Sequence, residues 1–281
     1  MTSRPLALTA VLVTAACAGR TPAPAAPRTA VAPAVPATAP VAATLAYVTG
    51  SARYRVEQTV HVTQEMMGQV TNIDLTSRQL FSVVGTMVAP NISFAVTLDS
   101  LEMTGPAGVD LSSIAAARGQ TFRLVMAPSG LTVSTTAPDS TNPIMRQLSS
   151  GLSDLMPRLP TPPIAAGQTW SDTVTRSAGD MGTSTRFRQH QVVGWEDRDG
   201  ARALHLTTTT NYTVSGSTEA QGQAVEFRGS GVSTRDSFIS AAGVYLGGAE
   251  RDSSLVNANV TAMGLVIPVH QTRRSTTTRL P

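Results

Sequence analysis

Few residues in this chain of 281 could carry chemistry, and the scarcest type is cysteine. Cys17 is the only thiol, which excludes an intramolecular disulfide and a multi-cysteine metal site. All 21 basic residues are arginine. Because Schiff-base formation and lysine general-base catalysis both need an amine that titrates, the sequence excludes them. The reaction that remains for Cys17 is covalent modification of its thiol.

The other candidates for chemistry are histidines and carboxylates. The four histidines are spread along the chain: His61, His190, His205 and His270. None stands in an H-x-x-x-H or H-E-x-x-H pattern, and no carboxylate pair stands out as an acid–base couple. The run 197–200 (DRDG) begins like a calcium loop but lacks the later carboxylates, which is typical of a hairpin turn. We therefore expect no catalytic residue, no metal site and no cofactor, in a protein that is not an enzyme.

The basic balance of the chain does not predict a nucleic-acid partner. The net charge is only +3, the arginines are scattered along the sequence, and 4% of the residues are aromatic. A nucleic-acid interface needs a clustered basic stripe or stacking platforms for bases. We expect no nucleic acid among the partners.

The context of Cys17 predicts a signal peptide and a lipid anchor. Residues 5–16 (PLALTAVLVTAA) form an apolar run after a basic start, typical of a secretory signal and shorter than the roughly 20 residues that cross a bilayer. The run 13–17 (VTAAC) resembles the bacterial lipobox, in which a small residue precedes an acylated cysteine, with Thr14 where the pattern prefers leucine. We expect residues 1–16 to be removed and Cys17 to be lipidated. The alternative is a signal peptide cut elsewhere, which would leave a soluble periplasmic protein.

The residues after the cysteine predict where the folded part is held. Ala18, in place of aspartate, resembles the pattern that sorts lipoproteins to the outer membrane, so we expect a lipid-anchored envelope protein facing the periplasm. Residues 17–43 are rich in proline and alanine and nearly free of charge, and such a segment cannot form a helix or bury enough apolar surface to fold. We expect a disordered tether there, followed by a single β-rich domain over residues 44–281.

The folded part shows alternation with a period of two residues. Ile92, Phe94, Val96 and Leu98 alternate with small or polar residues, and threonine runs such as 207–210 favour strands. Glycine and proline turns separate long runs that are polar on one side. The pattern predicts an all-β, mainly antiparallel protein with a large curved sheet or half-barrel.

One segment has helical spacing. Asn142 before Pro143 is typical of a helix start, and the apolar residues that follow recur at three or four positions until Pro157: Ile144, Leu148, Leu152, Leu155 and Met156. We expect one amphipathic helix against the concave face of the sheet. Its apolar side chains are either part of the core, which we favour, or the lid of a ligand cavity.

Two strand-and-turn stretches carry a family resemblance. Residues 118–136 (RGQTFRLVMAPSGLTVSTT) and 162–170 (PPIAAGQTW), with a helix between them, are similar to a family of uncharacterised bacterial envelope lipoproteins. The shared Gly-Gln-Thr-aromatic run is also weak support for an internal duplication. The resemblance implies an architecture similar to the half-barrels of periplasmic lipoprotein carriers, which is a fold analogy and does not settle function.

These observations favour a membrane-anchored envelope lipoprotein that binds an amphiphile or a partner in the concave face, without catalysis. The partners expected are the membrane, through the lipid, and either a lipid or hydrophobic ligand or other envelope proteins. The alternative is a structural or assembly lipoprotein that docks on other envelope proteins and has no small-molecule ligand.

Overall fold

The computed structural model describes residues 45–105, 116–177, 182–198, 200–220 and 223–281. The predicted signal peptide (1–16), Cys17 and the tether (17–43) lie outside the described residues. In the part of the chain that the structure describes, no helix has the length and apolar character of a membrane span.

Within the described residues, eleven strands form one antiparallel sheet. They are β1 (Gly50–Met66), β2 (Gln69–Val88), β3 (Asn91–Thr104), β4 (Thr121–Met126), β5 (Thr132–Thr136), β6 (Thr169–Ser177), β7 (Thr183–Arg198), β8 (Ala201–Ala220), β9 (Gln223–Ser240), β10 (Tyr245–Val260) and β11 (Leu265–Leu280). The described part also contains helix α1 (Pro143–Leu152) and a 3₁₀ turn (Thr261–Met263). The prediction of a mainly antiparallel, curved β-sheet with a single helix is confirmed.

The order of the strands follows from a chain that starts in the middle of the sheet. From β1 the chain steps outward through hairpins to the edge strand β5, crosses through α1 to the opposite edge at β6, and returns through hairpins to β11. β11 then pairs with β1, from Arg53 opposite Leu280 to Gln64 opposite Val269. The two halves of the chain therefore meet at this single long pairing.

The inner face of the curved sheet, which we call the concave face, holds the main core. The alternation predicted for β3 is confirmed, because its four apolar residues at 92, 94, 96 and 98 are all buried. The same cluster takes Phe122 and Leu124 from β4 near one edge and Leu204 and Leu206 from β8 near the other. Both wings of the sheet thus pack around the segment that connects them.

Helix α1 begins as predicted and ends earlier than predicted. The side-chain Oδ1 of Asn142 accepts a hydrogen bond from the backbone N–H of Met145 at 3.2 Å, which caps the first turn. The helix ends at Leu152, so the prediction that it runs to Met156 is wrong; Leu155 and Met156 lie in the turn that follows.

The early end of α1 has a cause in the sheet. The carbonyl of Ser153 accepts a hydrogen bond from the Thr132 hydroxyl at 2.8 Å. The carbonyls of the next two residues, Asp154 and Leu155, accept from the guanidinium of Arg235. A buried irregular segment needs such partners for its backbone, and here side chains of β5 and β9 supply them.

The two Gly-Gln-Thr-aromatic runs share a local structure without being a tandem repeat. Gly119 and Gly167 both have positive φ, at 77° and 83°. Gly119 N–H donates to the carbonyl of Leu98, on the strand that precedes it, whereas Gly167 N–H donates to the carbonyl of Val192, on the strand that follows it. A tandem duplication would keep the order of the two paired strands, so the shared run reflects a common way to begin a strand.

Candidate binding site on the concave face

A belt of charged side chains crosses the concave face, and the sequence analysis missed it. Alternate residues of paired strands face the same side, so the register defines rows across the sheet. One row reads Asp172, Arg188, Thr210, Ser233, Asp252 and Arg273, from β6 to β11. With charged residues from the neighbouring rows and from the segment after α1, it forms what we call the arginine belt: Arg158, Arg176, Arg186, Arg188, Arg235, Arg273, Asp154, Asp172, Glu250 and Asp252.

Asp154 is the centre of one half of the belt. Its carboxylate accepts two hydrogen bonds from Arg176, at 2.7 and 2.8 Å, one from Arg186 at 2.9 Å and one from Arg188 at 3.0 Å. Burial by itself would raise the pKa of Asp154, but the three guanidinium groups outweigh it and hold this pKa below its usual value. Asp154 is therefore ionised and neutralises only one of three cations.

Asp172 links the belt to a buried histidine. Its carboxylate accepts hydrogen bonds from Arg188 at 2.6 and 3.1 Å and from Arg158 at 3.2 Å, and it lies 3.5 Å from Nε2 of His190. Burial favours a raised pKa for Asp172, but the hydrogen bonds from His190 and Arg188 hold the pKa well below its usual value. Nδ1 of His190 lies 2.9 Å from the Thr208 hydroxyl.

The chain from Thr208 through His190 to Asp172 has the order of groups found in hydrolase triads. Its setting differs, because the imidazole is 2% exposed and the Trp170 ring stacks on it with centroids 5.0 Å apart. A nucleophilic hydroxyl must reach a substrate in a cleft, and Thr208 is buried. We interpret the three residues as a polar link that positions Asp172.

The other half of the belt pairs two carboxylates with one arginine. Arg273 donates to Glu250 at 2.6 Å and to Asp252 at 3.2 Å. Glu250 and Asp252 are alternate residues of β10, so both point to the concave face. Burial raises the pKa of Asp252 to about 7, because the one guanidinium is shared with Glu250 and does not offset the lost hydration. The motif Glu-x-Asp on a strand is the sequence signal that would have revealed this pair.

Several donors that face the centre of the concave side have no hydrogen-bond partner. They are Nε of Arg186, Nε of Arg273 and the hydroxyls of Ser184 and Ser254, all of them buried. An unsatisfied buried polar group costs about 1–3 kcal/mol. In the row that begins at Arg186, Gly231 lies between Tyr212 and Ser254 and contributes no side chain. These donors belong to β7, β10 and β11, and an acceptor group that reached them would satisfy them.

The belt carries more positive than negative charge. Its six arginines face four carboxylates, which leaves an excess of two positive charges when all are ionised. The excess grows as Asp252 is protonated. The side chains of Arg176, Arg186, Arg188 and Arg273 are each 17–25% exposed, so solvent reaches them. Such an arrangement favours an anion, since guanidinium groups bind carboxylates and phosphates through fixed, paired donors.

Beyond the belt, toward the β8–β9 and β10–β11 turns, the concave face becomes apolar. A first cluster contains Tyr212, Val214, Phe227 and Val256, and a second contains Val225, Ala258, Val260 and Ile267. Neither cluster contains a residue of α1. Along the strands the face therefore passes from charged to apolar.

The residues predicted to line the concave face from the helix pack into the core. Leu152, Leu155 and Met156 are buried, and Leu148 is partly buried against the same cluster. The side chain of Ile144 lies outside the described residues. The described side chains at this end of the concave face are therefore part of the main core cluster.

The other three histidines lie on the outer, convex face. His61 pairs with Asp74 at 2.6 Å and His205 with Asp236 at 3.0 Å, while His270 is exposed. Among the residues that the structure describes, no group of three or more metal-binding side chains converges. The convex face also has a shallow depression of about 360 Å³, between Glu57, Arg78 and Arg274, which is open to solvent and contains the Arg78–Glu57 ion pair.

The fold and the belt describe an open, single-sheet β protein with a cationic concave face, and comparisons with known proteins add little. No family model matches the chain, and no curated protein matches it. Among solved structures, it is similar to a DUF1329 family protein from Desulfovibrio piger, with 8% identity over 79% of this chain and 83% of that one and a TM-score of 0.15. A likeness with so low a TM-score supports no statement about this chain.

Proposed function

We propose that this protein is a membrane-anchored envelope protein that binds an anionic amphiphile in the concave face of its sheet and catalyses no reaction. One observation carries the proposal. Arginine and serine donors without partners lie beside apolar rows on the same face. An amphiphile has the matching parts, a polar headgroup for the donors and an apolar tail for the apolar rows.

In this proposal the anionic group of the ligand contacts Arg186 and Arg273. Each has a buried Nε–H without a partner, and Ser254, whose hydroxyl also has none, lies in the row of Arg186, next to the row of Arg273. A carboxylate or phosphate there would satisfy these donors and offset the excess positive charge. The apolar part of the ligand would lie toward Val214, Phe227 and Val256, on the side away from α1.

The attachment to the envelope rests on the amino-terminal sequence. A cleaved signal over residues 1–16 and a lipid on Cys17 would hold the domain on the residue 17–43 tether, at the outer membrane on its periplasmic side. Two or three acyl chains on one cysteine give effectively permanent attachment, because each buried methylene contributes about 0.8 kcal/mol.

Mass spectrometry of copurifying lipids tests the proposal. The protein is produced in a bacterial envelope with its own signal and extracted in mild detergent. Lipids retained after exchange into detergent without lipid are then compared with Arg186→Gln/Arg273→Gln. A matched control is Arg251→Gln/Arg274→Gln, two arginines opposite each other in the β10–β11 pairing and on the convex face.

We expect an anionic lipid or fatty acid to be retained by the wild type and the control, and to fall at least tenfold in the belt variant. Equal retention in all three proteins would contradict the proposal, as would retention of neutral lipids alone.

A second candidate, an assembly lipoprotein without a ligand, is favoured by the edge strand β5. This strand has no charged residue, and Val133 and nearby Leu131 are exposed, which leaves an edge without the usual protection against pairing. If the second candidate is correct, Val133→Lys abolishes in-cell crosslinks to an envelope protein, and the belt variant does not.

A further inference from the structure

Two neighbouring hairpins end in exposed apolar side chains. The β1–β2 turn exposes Met67 (87%) and Val70 (60%), and the β10–β11 turn exposes Met263 (52%) and Val266 (57%). Because β1 pairs with β11 as far as Gln64 opposite Val269, the two turns that follow this pairing lie side by side at one end of the sheet. We call these four residues the apolar tip.

Met67 is an unexpected residue at its position. Met66 pairs with Gln69, so Met67 and Gly68 form a two-residue turn, and their φ angles of 53° and 77° are both positive. Such turns favour asparagine, aspartate or glycine, since a bulky side chain is disfavoured at positive φ. Met67 has no packing in the chain to compensate, because it is almost fully exposed. Contact with a group outside the chain is the remaining interaction that could offset the cost of methionine at positive φ.

The two segments that form the tip carry a single charged residue, Glu65, which pairs with Val70. From Asn259 to Val269 there is no charged residue, and from Thr63 to Ile73 there is only Glu65. Exposed Glu226 lies in the same row as Val266, because both strands pair through Asn259, and exposed Glu219 lies one residue beyond the level of Val260 on the neighbouring hairpin. Because these nearby carboxylates repel anionic lipids and must stay hydrated, only the apolar turn residues can enter the membrane, and the carboxylates would remain at the level of the headgroups.

The base of the tip is already packed. Val260 and Ile267 are buried in the cluster that also includes Met66, so the two hairpins are joined below their turns. A tip held in this way loses little conformational freedom when it binds.

The size of the tip fits a bilayer better than a protein. A stable protein interface uses roughly 20–30 residues on each side, far more than these four. A bilayer accepts small insertions, and their effect adds to that of a lipid anchor.

The predicted tether is long enough for the tip and a lipid on Cys17 to reach the same membrane. β1 has 17 residues and spans about 55 Å, at about 3.3 Å per residue, between the end of the tether and the tip. The 27 residues of the predicted tether, 17–43, would reach about 84 Å at about 3.1 Å per residue.

We propose that the apolar tip inserts into the interface of a lipid bilayer and orients the domain with the apolar end of its concave face toward the membrane. The proposal goes beyond the proposed function, since it needs no ligand in the concave face and no lipid on Cys17.

Vesicle flotation tests it with the chain 18–281, which keeps every described element and lacks the anchor. The probe is vesicles of phosphatidylcholine, with and without 30% of an anionic phospholipid. The tip variant is Met67→Asn/Met263→Gln/Val266→Thr. The control replaces three exposed apolar residues elsewhere, Met87→Gln/Val84→Thr/Val133→Thr.

We expect the wild type and the control to float with neutral vesicles, and the tip variant to lose at least tenfold in partition coefficient. Anionic lipid and 0.5 M salt should change the wild type by less than twofold. Met67→Asn alone should weaken flotation while raising the melting temperature, which separates membrane contact from folding.

Three results would overturn the proposal. The first is that the wild type does not float, and the second is that the tip variant floats as well as the control. The third is that the tip binds a second copy of the chain. In the last case sedimentation shows a wild-type dimer and a monomeric tip variant, without vesicles. None of these results bears on retention of a ligand by the belt, which is measured separately.

Discussion

Arg176 donates both of its terminal nitrogens to the carboxylate of Asp154, at 2.7 and 2.8 Å, and so joins the edge strand β6 to the turn that follows α1. The same guanidinium also donates to the carbonyl of Ser150 near the end of the helix. One arginine thus holds an edge of the sheet against the segment that fills its concave face. Because Arg186 and Arg188 of β7 reach the same carboxylate, the contact extends over two strands.

Replacement of Asp154 should be strongly destabilising. In Asp154→Asn the guanidinium groups of Arg176 and Arg186 lose their carboxylate and Arg188 keeps only Asp172. Because Asp154 is partly exposed, the loss should fall below the roughly 3–5 kcal/mol of a fully buried pair. Urea unfolding of the purified domain measures the loss. Asp197→Asn is the control, since Asp197 forms an exposed ion pair with Arg202 and should change stability far less. Equal losses in the two variants would show that the Asp154 contacts add no stability.

The stability of the protein should depend on pH through Asp252. Its pKa is about 7 in the folded chain, against 3.8 for an ordinary aspartate, so folding favours the protonated form. The stability contributed by that form is complete below about pH 4 and is lost as the pH rises through 7. Asp252→Asn keeps the neutral form at every pH.

The melting temperature of Asp252→Asn, relative to the wild type, should therefore rise as the pH is raised from 4.5 to 8. Differential scanning fluorimetry in matched buffers measures this difference. A difference that shrinks with rising pH would mean that the ion pair with Arg273 outweighs burial.

Arg235 should control the segment after α1. Its guanidinium supplies the hydrogen bonds of two backbone carbonyls and of the Tyr245 hydroxyl at 2.8 Å. Arg235→Met keeps the apolar stem and removes these donors, so residues 150–160 should exchange their amide hydrogens at least tenfold faster. Arg251→Met, on the exposed face of the adjacent strand, serves as control and should leave this segment unchanged. Unchanged exchange in Arg235→Met would mean that packing alone holds the segment.

Cys17 should decide membrane attachment in the cell. Cys17→Ser removes the thiol that would be acylated, so the protein should leave the detergent phase in phase partitioning, and its mass should lack the lipid. Thr14→Leu restores the residue that the lipobox pattern prefers and should be processed at least as fast as the wild type. If Cys17→Ser is cleaved and still partitions with the detergent phase, the anchor lies elsewhere.

Much of the fold could be predicted from local patterns. The buried residues of β3 alternate as the sequence indicates, and the Asn142 cap marks the start of α1. Both depend on neighbouring positions along the chain, which a sequence displays directly. The end of α1 could not be predicted, because the side chain that binds the carbonyls after the helix comes from Arg235, which is 80 residues along the chain from Leu155.

By itself, the sequence determined that this is a β-rich chain with one helix, one thiol and no lysine, because residue type and period set strand, turn and available chemistry. The tertiary structure alone decided that the arginines converge. They are scattered along the chain, and only the register of β6 to β11 and the curvature of the sheet bring six of them to four carboxylates on one face. The alternate arginines at 186 and 188 indicate a shared face, but which strands lie opposite them depends on long-range pairing, which local sequence does not specify.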